Sequence, residues 1–412
     1  MKSMIISVGG TPEPIVSSLL NHRPEYVCFF ASQQSLDRIG EIKNQLKEKG
    51  LELKDYKVIC DDAEDLVHCY EKALECTNRI AEQGVSSELV VVDYTGGTKS
   101  MTAALALATI GHGYNFSYVG GVERTKNGLG IVVTGTEIIK QGISPWQIFA
   151  VEEKKRISLF VSSFQYDAAI STIRETVDNL QSGEGEIWKG VSVLLEGYLA
   201  WDNFDHETAL RRLSEGIKHL ELCAKFGLDK PVENFVAETK VNFHDLNQIK
   251  EQTDFFGKLH PVLVRDLVSN ARRRYLQNKY DDAVARLYRA LEMVGQIDFE
   301  DATGYSTSNV APEKLPDTIR EEYIQRYHDS DKRTLKLPLY ATFRALKEMN
   351  HPTGYKYFEN EDTFKKILSA RNNSIFAHGL HPVKKTTYEE FTKIIEELFV
   401  KGPLIEFPKL NW

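Results

Sequence analysis

The chain has 412 residues, 27% of them charged and 42% hydrophobic, the composition of an ordinary soluble globular protein of two or three domains. Five cysteines without a C-x-x-C pair point away from a disulfide framework or a zinc site and toward a reducing cytoplasm, while the opening MKSMIISVGG is too short in apolar residues for a signal sequence and the run Ala103 to Ile110 too short for a membrane span. The net charge of −8 is uneven: residues 1–258 hold 27 Lys and Arg against 37 Asp and Glu, and residues 259–412 hold 24 against 22, so a polyanion would prefer the last third.

Met4 to Val8 reads as a short buried strand, with Gly9-Gly10-Thr11-Pro12 as its turn. Pro14 to Leu20 then reads as a helix with proline in its tolerant first turn. Tyr26 to Ala31 is the next expected strand, Ser32 to Ser35 an N-cap region, and Leu36 to Lys49 an amphipathic helix closed by Gly50. Tyr56 to Cys60 reads as a strand and Ala63 to Gln83 as a long helix.

Leu89 to Ile110 is the most informative stretch. Four apolar residues end in Asp93, the turn Tyr94-Thr95-Gly96-Gly97-Thr98-Lys99 follows, and an Ala/Leu-rich buried helix begins. Such a turn lies at the carboxyl end of its strand, where ligands bind in open α/β sheets. Two glycines let a ligand approach the backbone, the helix start offers free N–H groups and a positive dipole end, and Lys99 adds a full charge. The P-loop pattern Gly-x-x-x-x-Gly-Lys-Ser/Thr fails, because Thr98 precedes Lys99 and position 94 is Tyr. A tight turn without a ligand is the competing reading.

Phe116 to Val119, ending in Gly120-Gly121, and Ile131 to Val133 complete the expected strands, with strand character ending near Thr136. Strands alternating with helices imply a parallel, doubly wound sheet with the glycine turns after Val8 and Asp93 on one edge. From Ile148 the chain reads as helical, with Gln181 to Gly185 as a turn between helices and breaks at Pro145 and Pro231. Phe204 to Leu210 and Tyr280 to Arg286 begin helices in the manner of tetratricopeptide repeats. They lie 76 residues apart rather than about 34, which favours helical hairpins over a solenoid. Tyr280 to Val294 places apolar or aromatic residues at 280, 283, 284, 287, 291 and 294 on one helix face. Asp301 to Asp317 reads as a loop, and Leu337 to Met349, Phe364 to Phe376 and Tyr388 to Val400 as helices, giving a bundle of about five.

Within that bundle stands Ala370-Arg371-Asn372-Asn373-Ser374-Ile375-Phe376-Ala377-His378-Gly379. On a continuous helix, Arg371 and His378 share one face roughly 10 Å apart along the axis. Gly379 would end that helix, leaving His378 in a last turn whose dipole favours a cation. A permanent guanidinium and a titrating imidazole suit phosphodiester cleavage, and no carboxylate cluster accompanies them to suggest a metal. Taken alone, the pair reads more readily as a solvated Arg and a helix-capping His, and only context reverses that.

The turn Asp93 to Met101, with Ser7 to Thr11 at the first strand, resembles the CRISPR-associated Rossmann-fold (CARF) domain. The segment Arg371 to Gly379 is similar to the R-x(4–6)-H motif of HEPN ribonucleases, as are Asn270-Ala271-Arg272, Tyr280 to Ala283 and Arg286 to Glu292 to that family's first bundle helices. This resemblance, over roughly residues 1–140 and 260–400, is to the CARF–HEPN ribonucleases of type III CRISPR systems, of Csm/Csx type. It implies an N-terminal doubly wound Rossmann-like CARF domain (1–145), a helical linker region (146–258) and a C-terminal HEPN helical bundle (259–412). It further implies a cytoplasmic homodimer, without a membrane or metal requirement, that cyclic oligoadenylate activates to cleave single-stranded RNA in antiviral defence. Gly9, Gly10, Thr11, Thr95, Gly96, Gly97, Thr98 and Lys99 would hold the activator. Arg371 would hold the scissile phosphate, His378 act as general acid/base or position the hydroxyl, and Asn372 support the centre by hydrogen bonds. The alternative is a CARF sensor or adaptor with an inactive helical domain. A P-loop-like nucleotidase and a helical-repeat scaffold are disfavoured by the Thr98 register and the 76-residue spacing.

Overall fold

A computed structural model describes residues 2–121, 136–143, 146–177, 180, 182–328 and 334–412. The chain divides into two compact units, residues 1–155 with 174–185 and residues 156–173 with 186–412.

The first unit alternates β1 (Ser3–Val8), α1 (Pro12–His22), β2 (Tyr26–Ser32), α2 (Leu36–Glu48), β3 (Lys54–Cys60), α3 (Leu66–Ala81), β4 (Val90–Asp93), α4 (Lys99–Thr109), β5 (Asn115–Gly121) and β6 (Glu137–Ile143). The sheet order is β3-β2-β1-β4-β5-β6. Strands β1 to β5 are parallel. Both faces are covered, which is why β1 is buried throughout and apolar at Met4, Ile5, Ile6 and Val8. Met4, Ile6 and Val8 pack with Ile15, Leu19, Ile39 and Ile42 on one side. Ile5 packs with Val92, Met101, Ala104 and Leu105 on the other. The strand order reverses between β1 and β4, so the two glycine turns lie side by side at the topological switch point.

The sheet departs from the expected one at its edge. β6 runs antiparallel to β5, and strand structure therefore continues beyond Thr136. Its sequence EIIKQGI mixes Lys, Gln and Gly into a short apolar run, the composition of an edge strand rather than a buried one. The strand expected at Ile131 to Val133 and the break at Pro145 lie outside the described residues.

Helices follow: α5 (Trp146–Ser162), α6 (Tyr166–Val177), α7 (Ser182–Asp202), α8 (His206–Cys223), α9 (Lys230–Gln252), α10 (Pro261–Leu276), α11 (Tyr280–Thr303), α12 (Asp317–Tyr327), α13 (Leu339–Glu348), α14 (Pro352–Glu359), α15 (Glu361–Asn372) and α16 (Lys385–Phe399). The glycine-bearing stretch Ser182 to Gly185 begins α7 instead of separating two helices. Pro231 sits in the first turn of α9, where it removes no helical hydrogen bond. From residue 259 onward the described residues hold seven helices rather than about five. The additions are α12, with only Ile319 and Tyr323 buried, and the eight-residue α14. α14 is too short to show a helical period, and α12 buries too few residues to mark one.

The second unit is fastened by two buried acidic residues. Asp202 at the end of α7 accepts from Arg273 Nε at 2.8 Å and pairs with Arg274 at 2.5 Å. Asp266 on α10 accepts from Trp201 Nε1 at 3.1 Å and lies 2.7 Å from His206 Nε2. Helix α10 thus carries polar anchors to α7 and α8 while packing along α11. In α11, Ala283, Val284, Leu287, Leu291 and Val294 are buried along the face that the sequence pattern predicts.

Candidate functional site

In the first unit the turns after β1 and β4 touch. A Cβ on Gly96 would collide with the Ser7 carbonyl oxygen, and one on Gly9 would stand 2.9 Å from the Gly97 nitrogen. Gly97 has φ +86°, a left-handed conformation that favours glycine. Asp93, fully buried, organises the turn: its carboxylate accepts from Ser18 Oγ at 2.5 Å and from the Thr95 N–H at 2.9 Å. Beside it His22 Nε2 lies 3.0 Å from Ser117 Oγ, and burial, with the nearby charge of Lys2, pushes the His22 imidazole below its usual pKa.

The expected ligand residues divide by what their side chains do. Thr98 is the N-cap of α4: its hydroxyl accepts from Met101 N–H at 3.2 Å and donates to the Ala63 carbonyl. Thr95 Oγ1 accepts from Val119 N–H at 2.8 Å. Gly10, Thr11, Gly97 and Lys99 are exposed. Lys99 is the first residue of α4 and has no ion-pair partner among the described residues. The arrangement leaves backbone N–H groups and one cation facing solvent at a helix start, which suits an anionic ligand. Ser100 Oγ donates to Glu64 O at 2.9 Å, tying the start of α4 to the loop before α3.

In the second unit the helix carrying Arg371 ends sooner than expected. α15 stops at Asn372, so the helix does not reach Phe376 and His378 does not occupy its last turn. Asn372, Asn373 and Ser374 in succession weaken the helix, since their side chains compete for backbone groups. The chain instead folds back on the helix end. His378 N–H donates to Asn372 O at 3.1 Å, Gly379 N–H to Ser374 O at 3.1 Å, and His381 N–H to Asn373 O at 3.0 Å. Gly379 packs so closely on Asn373 that any Cβ there would overlap its backbone. The histidine is thereby returned to the Arg371–Asn372 pair by a loop instead of by helical periodicity.

Arg371 is half-buried. Its Nη1 donates to Asn372 Oδ1 at 3.1 Å, and its guanidinium carbon stands 4.3 Å from the centre of the Tyr288 ring. Burial and the neighbouring Glu292 push the Tyr288 phenol up to about 12, with Arg371 and Arg289 acting in the opposite sense. Asn372 and His378 are exposed. The same loop leaves Ile375, Phe376 and Leu380 71%, 59% and 89% exposed, a group of apolar side chains without a covering surface in this unit. Tyr288 was legible only as part of a family-like helix, because its contact with Arg371 spans 83 residues of sequence.

Among the described residues no group of three or more His, Cys, Asp or Glu could hold a metal ion, and no helix is long and apolar enough to cross a membrane.

Residues 252–401 match the family model described as the Csm6 HEPN domain, and residues 149–242 match the model described as the Csm6 6H domain. The two together cover more than half of the chain, and the second gives an identity to the middle stretch that its sequence marked only as helical. The fold is similar to that of Enterococcus italicus Csm6 bound to cyclic hexa-2'-fluoro-hexa-dAMP, with a TM-score of 0.60 and 12% identity over 97% of this chain and 94% of that one. Can2 from Sulfobacillus thermosulfidooxidans, in complex with cyclic tetra-adenylate, matches at a TM-score of 0.26 and 14% identity over 47% and 58% of the two chains, too weakly to carry an argument. No curated protein matches the sequence significantly. With both Csm6 domain models on its helical part and the Csm6 fold along nearly its whole length, the chain belongs to the Csm6 family of CARF–HEPN proteins.

Proposed function

We propose that this protein is a cytoplasmic endoribonuclease that cyclic oligoadenylate switches on to cleave single-stranded RNA in type III CRISPR antiviral defence. The observation that carries the reading is the loop that bonds His378 back to Asn372, beside a guanidinium held on Tyr288. Arg371 would hold the scissile phosphate, and Asn372 orient Arg371 through their hydrogen bond. The ribose 2′-hydroxyl attacks the adjacent phosphorus. Its proton goes to a base, the 5′-oxygen leaves with a proton, and a 2′,3′-cyclic phosphate remains. His378 would move those protons, and the step would need no metal. The exposed Ile375, Phe376 and Leu380 support a homodimer that places two such loops together.

The sensing domain (1–145) would take the activator at Gly9, Gly10, Thr11, Thr95, Gly96, Gly97, Thr98 and Lys99, the helical region (146–258) would link it onward, and residues 259–412 would cleave. The similar Enterococcus italicus protein is bound to a cyclic hexanucleotide analogue. RNA cleavage in the presence of EDTA, with cyclic tri-, tetra- and hexa-adenylate each in turn, tests the reading. Cleavage with one ring size, leaving 2′,3′-cyclic phosphate ends, is the expected result. Cleavage that ignores all three rings, or that EDTA abolishes, overturns it.

A further inference from the structure

The loop carrying His378 continues into a basic and aromatic surface that the cleavage step does not use. Val383 N–H donates to both carboxylate oxygens of Asp281 at 3.2 Å, which pins the loop to the first turn of α11. Three exposed lysines gather there, Lys279 at the N-cap of α11 and Lys384 and Lys385 at the start of α16. Lys279 and Lys384 have no ion-pair partner among the described residues. The Lys385 ammonium lies 5.6 Å from the centre of the Tyr275 ring and 3.7 Å from Glu389. Tyr280, half-exposed, stands 5.8 Å from Tyr275.

The carboxylates of this surface are engaged. Asp281 holds the loop, Asp282 pairs with Arg274 and Arg286, and Glu389 accepts from the Tyr275 hydroxyl at 2.8 Å. What faces outward is cationic and aromatic. That combination fits a flexible polyanion carrying flat bases: lysines neutralise its phosphates, and an aromatic face stacks any base without reading its sequence.

We propose that Lys279, Lys384, Lys385 and Tyr280 form a track that holds single-stranded RNA on one side of the scissile phosphate. The proposal rests on reading the Arg371 and His378 loop as the cleavage centre.

Binding of a fluorescent single-stranded RNA of about 20 nucleotides, measured in full-length Arg371→Ala protein from about 50 to 200 mM salt, tests this apart from cleavage. Adding Lys384→Ala and Lys385→Ala together should weaken binding about tenfold at the lowest salt and flatten the slope of log Kd against log salt by about 1.4, roughly 0.7 for each lost contact. Lys384→Arg with Lys385→Arg should restore both. Lys279→Ala, an exposed change that leaves the loop anchor untouched, should flatten the slope by about half as much. Tyr280→Leu should weaken binding at every salt concentration without changing the slope, and Tyr280→Phe should not. An unchanged affinity and slope in the lysine variants overturns the proposal. So does a loss that appears only as a change of oligomer size in light scattering, which would make this surface an interface between copies. If Arg371→Ala protein cuts RNA at the wild-type rate, the cleavage reading fails instead, and the salt slopes still report on the track.

Discussion

The Arg371 guanidinium rests 4.3 Å from the centre of the Tyr288 ring, so the phosphate-binding candidate on α15 is aimed by an aromatic residue on α11. The second constraint is its hydrogen bond to the neighbouring Asn372. Removing the ring should therefore cost activity while leaving the motif complete. Tyr288→Leu is expected to lower kcat by roughly 5- to 30-fold, the equivalent of about 1–2 kcal/mol for a partly desolvated cation–π contact. Tyr288→Phe keeps the ring and should stay close to wild type. Equal loss in both variants would assign the role to the hydroxyl and its Glu292 partner instead.

Arg371→Ala and His378→Ala should each reduce cleavage by about 10²–10⁴-fold, as expected for groups acting on the transition state. Activator affinity should be retained in both, because the glycine turns belong to the other unit. Calorimetry for the ligand and single-turnover cleavage for the RNA separate the two effects, and wild-type cleavage in both variants would remove the site.

How much of this was legible in the sequence depends on the range of the interaction concerned. β1 and β4 announce themselves because strands buried on both faces carry runs of adjacent apolar residues, and Gly96 and Gly97 mark a turn that a Cβ would block. β6 was missed because polar Lys140 and Gln141 interrupt its apolar run, and its pairing with β5 sets its conformation. The spacing of Arg371 and His378 suggested one helix, yet Asn372 to Ser374 end it and backbone hydrogen bonds return the histidine by a different path. Neither the Tyr288 contact nor the Asp281 clamp on Val383 leaves a local signal, since each joins residues about a hundred positions apart or nearly so.

Alkaline pH supplies a test of the packing around these sites. The Tyr288 and Tyr388 phenols are both pushed up to about 12, chiefly by burial. A folded-state pKa raised above the ordinary value of 10.0 means that folding favours the protonated form. Their contribution to stability is therefore complete below pH 10 and lost as pH rises from there through about 12. Tm should hold level up to the lower limit and fall across that window, and the fall should shrink in Tyr288→Phe. A Tm that declines equally in both proteins would sink the assignment to Tyr288.

The exposed side chains after Ser374 predict the oligomer. Two-fold pairing through Ile375, Phe376 and Leu380 would cover apolar surface and bring two Arg371–His378 loops to one place. Leu380→Asp, at the most exposed of the three positions, should yield a monomer by light scattering and lose activated cleavage while keeping its circular dichroism. A wild-type protein that is a strict monomer and cleaves RNA at the same dilution excludes the arrangement.

Lys99 decides whether the glycine turns bind the activator. It is exposed, stands first in α4, and has no ion-pair partner among the described residues. A lysine at that position is mildly unfavourable to the helix itself, because the dipole there is positive. An anion set against the turn reverses that penalty, and neighbouring N–H groups at the helix start would share it. Lys99→Ala should weaken activator binding by on the order of 1–3 kcal/mol, the range for a lost charge-assisted hydrogen bond. It should leave the fold unchanged or slightly more stable, since the unfavourable cation is gone. Gly97→Val should be more damaging, because Gly97 has φ +86° and Met101 lies 3.2 Å from where its Cβ would stand. The two variants separate by stability: Gly97→Val should lower Tm and binding together, whereas Lys99→Ala should lower binding alone. Calorimetric titration of Lys99→Ala that gives wild-type affinity, with wild-type activated cleavage, would leave Lys99 as a solvated residue and move the anion site off this turn.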